Sequence, residues 1–87
     1  MPGIMERYLA MAVSNHEFAE KVGCDFTTAS RYRNGLRVPS ARMLARIMKM
    51  FPFTESDVYE LWEALDEEGG ASFGRWLREK VFDRAEA

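Results

Sequence analysis

The stretch HEFAEKVGCDFTTASRYRNGLRVPS, residues 16–40, sets two short helix-like patterns on either side of a Gly23-Cys24-Asp25 break. Upstream of it, Ser14-Asn15-His16-Glu17 has the order of a capping box, with the Ser14 hydroxyl accepting from the Glu17 amide and the Glu17 carboxylate reaching back. The helix so started would bury Phe18, Ala19 and Val22 and stop at Gly23, which takes the left-handed conformation without steric cost. Asp25 then caps a second helix from Phe26 to about Arg33, closed by Asn34-Gly35. Ala19 is small enough to let the two backbones approach where they cross.

Beyond this stretch the periodicity again gives helices and no convincing strand. Met5, Leu9 and Ala12 form one stripe of a helix over about 4–12, with Tyr8 beside it. Pro39-Ser40 opens a helix whose stripe is Met43 or Leu44, Ile47, Met48 and Phe51, and Pro52 closes it. Thr54 with Asp57 caps the next, where Val58, Leu61, Trp62 and Leu65 follow the i, i+3, i+4, i+7 pattern. After Gly69-Gly70 a last helix, about Ser72 to Arg84, turns Phe73, Trp76, Leu77 and Val81 inward. It is expected to pack on the first helix and on the Thr54 helix, leaving Phe82 with Tyr59 as a small exposed patch.

The composition agrees with one small folded unit. Eighty-seven residues, 47% hydrophobic and 13% aromatic with three prolines, support one modest core rather than a disordered chain. A single cysteine, Cys24, excludes an internal disulfide and a multi-cysteine zinc site. No apolar run approaches the ~20 residues of a membrane span, and the N-terminus lacks the order of a signal peptide, so a cytoplasmic location is expected.

Net charge is −2, but the charge is not evenly spread. Residues 1–51 carry eight basic side chains against four acidic ones, and residues 52–87 carry four against ten. From Arg31 to Lys49 there are six positive charges and no negative one, the footprint of a surface held against a polyanion.

Two short helices joined by a three-residue turn form a helix-turn-helix, and the second is short because only its exposed face must enter a groove. At this point the chain resembles the Cro/C1-type helix-turn-helix family, the phage-repressor-like DNA-binding domains. The resemblance is carried by SNHEFAEKVG, by the turn, by FTTASRYRNG and by VPS, with small, apolar, Gly, cap and Asn-Gly positions in register together. It covers residues 4 to about 65. It implies an all-α, lambda-repressor-like bundle of five helices, to which the last helix is an addition. The division expected is residues 1–68 for DNA binding and 69–87 for a C-terminal extension packed on the same domain.

The resemblance also implies roles. Base-reading side chains sit at the first, second and sixth positions of the recognition helix 26–33, here Phe26, Thr27 and Arg31, with Thr28 and Ser30 near enough to contribute. Arg31 can bind guanine bidentately, and a threonine can meet a thymine methyl. Phe26 departs from the usual polar residue. It reads either as a contact to a thymine methyl or, the favoured reading, as core or helix packing. Ala29 replaces a larger aliphatic residue, leaving volume for Tyr32 or Phe26 to fill. Phosphate contacts are expected from Ser14, Asn15, Arg33, Asn34 and Arg37. Arg42, Arg46 and Lys49, at i, i+4 and i+7, make one basic ridge for flanking phosphates.

Other residues carry blander readings. His16 is a surface residue or phosphate neighbour, and Cys24 a small apolar filler with no base beside it. Glu60, Glu63, Asp66, Glu67 and Glu68 form a solvated face, Trp62 and Trp76 are core or interface anchors, and the methionines fill gaps. No catalytic pair, metal site or cofactor motif stands out, so an enzyme is not expected. The expected function is a sequence-specific, double-stranded-DNA-binding transcriptional regulator, Cro-like or repressor-like, occupying an operator. It is expected to form at most a weak homodimer on DNA, with no membrane and no small-molecule substrate as partners. The alternatives are the antitoxin of a toxin-antitoxin pair and a protein-interaction module that does not bind DNA.

Overall fold

The computed structural model describes residues 13–83, which are helical throughout, with no strand among them. The helix expected over 4–12 and the end of the last helix at Arg84 lie outside the described residues.

The first four helices among the described residues each begin where a short polar side chain satisfies a free amide. α1, Asn15–Val22, starts with the Ser14 hydroxyl accepting from the Glu17 amide at 3.1 Å, though the Glu17 carboxylate does not return the bond. It ends at Gly23, whose φ of 75° favours glycine. α2, Phe26–Arg33, is capped by Asp25, which accepts from the Thr28 amide at 2.7 Å. α3, Ala41–Met50, is capped by Ser40. α4, Glu55–Asp66, carries the full reciprocal box between Thr54 and Asp57. α5, Ala71–Leu77, runs on into a π-helical turn, Arg78–Phe82, closed by the Asp83 amide on the Arg78 carbonyl.

α1 packs on α2 and α3, while α5 packs on α4 and on α2. Of the two expected partners of this last helix, α4 is in contact with it and the first helix lies outside the described residues, while α2 is a further partner that sequence reading did not assign. The core lies between them and includes Phe18, Val22, Ala29, Ile47, Phe73, Leu77 and Val81, all essentially without exposure. Phe18 sits between Phe51 and Phe82, with ring centroids at 5.7 and 5.2 Å, and a second stack runs Phe53–Trp76–Phe73. Trp76 also donates its indole N–H to the Asp57 carbonyl at 2.9 Å, so its one polar atom is satisfied in the interior.

Two aromatic assignments are reversed. Phe82 is buried at 3% exposure, because i→i+5 bonding brings residue 82 onto the face that carries Leu77. Of the two readings of Trp62, core or interface anchor, the core one falls: it is 63% exposed, beside Tyr59 at 71%, while Leu61 and Ala64 are the buried residues of α4. The patch expected at Phe82 and Tyr59 is therefore formed by Tyr59 and Trp62.

Candidate nucleic-acid interface

α2 has two faces with different work. Ala29 and Tyr32 point into the core, with Tyr32 edge-on to Phe73 at 6.2 Å, so the volume left by the small Ala29 is closed from within and not by Phe26. Burial pushes the Tyr32 hydroxyl pKa up. On the other face Thr27 and Arg31 are exposed, and the Arg31 side chain makes no hydrogen bond or ion pair among the described residues. A long bidentate donor left unpaired on a short exposed helix face is what guanine recognition needs.

Phe26 is 46% exposed and is not core. Its ring lies against the exposed His16 ring at 4.5 Å, so it packs between helices at the surface, where the start of α1 meets the start of α2. Thr28 and Ser30 are half-buried and already engaged. The Thr28 hydroxyl and amide bond the Asp25 carboxyl and hold its pKa below the usual range, helped by the charges of Arg31 and Arg37. Ser30 accepts from the Asn34 side-chain amide at 3.3 Å.

The residues read as phosphate contacts divide into free and fixed ones. Arg37, Arg42 and Lys49 are exposed, and no acidic side chain pairs with them among the described residues. Arg46 is half-buried, with its guanidinium over the Gly23 turn, so it leaves the line of Arg42 and Lys49 and lies against the motif. Arg33 is fixed most firmly: it donates to the Asn15 side-chain oxygen at 3.0 Å and its guanidinium lies 4.6 Å from the centroid of Phe82. Sequence reading missed the Phe82 side of that contact and also Arg78, which donates to the Arg33 carbonyl. Forty-five residues separate that donor from its acceptor, and no spacing rule spans such a gap.

Ion pairing among the described residues is confined to the acidic end, where Lys80 meets Glu60 at 2.9 Å and Asp57 at 3.4 Å. Cys24 is half-buried against the core, and desolvation raises its thiol pKa, which keeps it a thiol and fits the filler reading. No helix among the described residues is long and apolar enough to cross a membrane.

A capped helix, a left-handed glycine turn and a second helix with a buried inner face and a cationic outer face define a DNA-binding helix-turn-helix protein. A family model described as helix-turn-helix matches residues 4–58, and the chain belongs to that family, the XRE-type, Cro/C1-like helix-turn-helix proteins. No curated protein and no solved structure matches the chain.

Proposed function

We propose that this chain is a sequence-specific, double-stranded-DNA-binding transcriptional regulator, Cro-like or repressor-like and of phage or prophage origin, acting in the cytoplasm. It occupies an operator by setting α2 in the major groove and excludes polymerase from the promoter. The observation that carries this reading is the exposed, unpaired Arg31 beside Thr27 and Phe26, on a helix whose opposite face is locked into the core. Ser14, Asn15, Arg33, Asn34, Arg37, Arg42, Arg46 and Lys49 supply the surrounding phosphate contacts. Residues 1–68 form the DNA-binding part and 69–87 an extension of the same domain. Selection of bound fragments from random duplex DNA, followed by titration at several salt concentrations, tests it. One enriched sequence with affinity falling steeply in salt is the expected result, and no binding at low salt rejects it.

A second reading is favoured by a specific observation. Tyr59 and Trp62 stand exposed on α4 among the unpaired acids Glu55, Glu63 and Asp66, a surface that suits a basic protein partner. An antitoxin would use that surface for its toxin and α2 for its own operator. Co-purification of a basic partner that Trp62→Ala abolishes supports this version.

A further inference from the structure

We propose that Arg78 and Phe82 are positioning residues for DNA binding, acting through Arg33 and Asn15 from a segment that lies beyond the family match at residues 4–58. The proposal rests on the reading of Asn15 and Arg33 as phosphate contacts.

α2 is eight residues long, too short to be stable alone, so its direction depends on what holds its ends. At its C-terminal end the carbonyls of Ser30, Arg31 and Tyr32 accept backbone amides from Asn34, Leu36 and Gly35. The Arg33 carbonyl receives the Arg78 guanidinium instead. That bond satisfies an orphan acceptor and puts a positive charge at the negative end of the helix.

The same junction orders the Arg33 side chain. The face of Phe82, itself buried at 3% exposure, supports the guanidinium from one side, and the Asn15 oxygen takes one of its N–H groups. Asn15 is the first residue of α1. With its oxygen engaged, the two N–H donors of its amide are left for an acceptor outside the fold, and a phosphate oxygen is an acceptor of the right kind. The π-helical turn thus ties the end of the recognition helix to the start of its partner helix and sets the donors of both.

The test is a double-mutant cycle in DNA affinity on the full chain, read by fluorescence anisotropy with the selected duplex and a scrambled one. Arg78→Met is expected to weaken binding about tenfold with base preference unchanged, and Phe82→Leu about threefold, within the usual range for coupled neighbours. Arg78→Lys keeps the charge and a donor group on a shorter, unforked head and should recover part of the loss. In an Asn15→Ala background, Arg78→Met should cost clearly less, a result that general destabilisation would not produce. Equal losses in both backgrounds, or a folded Arg78→Met with wild-type affinity, overturn the proposal. Should Arg78→Met fail to fold, Arg78→Lys and Phe82→Leu run the same cycle, and independent losses there overturn it too. If the unaltered chain binds no duplex at low salt, the functional reading itself falls and this proposal with it, an outcome distinct from the others.

Discussion

Arg31 and Arg42 are both exposed arginines, yet under the proposed function the elements that carry them would give them different work. Arg31 stands on the outer face of α2, and Arg42 on α3, which in the proposed docking would flank the duplex. Arg31→Ala should cost about 1–3 kcal/mol on the preferred duplex and relax discrimination at one base pair, a G·C. Arg42→Ala should weaken all sequences alike and lower the salt slope by about one counterion. Titration of both variants on specific and scrambled duplexes separates the two roles. Equal loss of Arg31→Ala on both duplexes would make Arg31 a phosphate clamp and move base reading to Thr27 and Phe26. Phe26 shows where residue type alone runs out. A phenylalanine at the first position of a short helix suits core or surface equally, and the nearness of His16 is a fact of packing.

The helices depend on their ends and on one close approach. Ser40→Ala removes the acceptor for the Met43 amide and should lower stability by about 1 kcal/mol in a urea melt. Gly74 on α5 lies so close to the end of the recognition helix that a Cβ there would sit 2.6 Å from the Gly35 Cα. The atoms it would meet are backbone atoms of Gly35 and Tyr32, so no flexible side chain can swing aside. Gly74→Ala should therefore destabilise the chain by about 1–3 kcal/mol, as overpacked interiors do, and a variant melting with the wild type would show that the two backbones part freely. Deleting residues 70–87 removes Phe73, Trp76, Leu77, Val81 and Phe82 from the core and should lower the melting temperature markedly. An unchanged melt would reject the packing of α5 described above.

Charge separation along the chain governs how the folded protein responds to its solvent. Bonds from Thr28 to Asp25, and from the Thr54 amide to Asp57, hold both carboxyl pKa values below the ordinary one, and pairing with Glu60 and Asp57 raises that of Lys80. A lowered carboxyl contributes stability above its unfolded pKa of about 4 and loses it as pH falls through the folded value. A raised lysine contributes below its unfolded value of about 10.4 and loses it as pH rises through the folded one. Stability should be flat around neutrality and fall at both extremes. Asp57→Asn, which keeps an acceptor for the Thr54 amide, should make the acid arm shallower. Parallel melting curves for the two proteins between pH 2 and 7 would contradict that origin. A different set of acids should limit self-association. With Glu55, Glu63 and Asp66 unpaired around Tyr59 and Trp62, light scattering at low micromolar concentration should find monomer. Added salt should favour association while it weakens DNA binding, since screening relieves repulsion in one and attraction in the other. A tight dimer at low salt would reject this account.

Sequence by itself determined the helical class, the helix-turn-helix over residues 14–35 and the caps at Ser14, Asp25, Ser40 and Thr54, because these depend on neighbours within four residues. Charge order along the chain was equally legible and marked the basic stretch. Phe18, Phe73 and Trp76 were legible as inward, but tertiary structure alone decided the places of Trp62 and Phe82. Phe82 is inside because a π-helical turn shifts the register of everything after Leu77, which no periodic pattern anticipates, whereas Trp62 is outside because Leu61 and Ala64 are the residues that α4 buries. Tertiary structure alone also placed the C-terminal segment against the recognition helix. The Gly35–Gly74 approach and the Arg78–Arg33–Asn15 chain join residues far apart in sequence, and such contacts follow from how the faces fit and not from local preference.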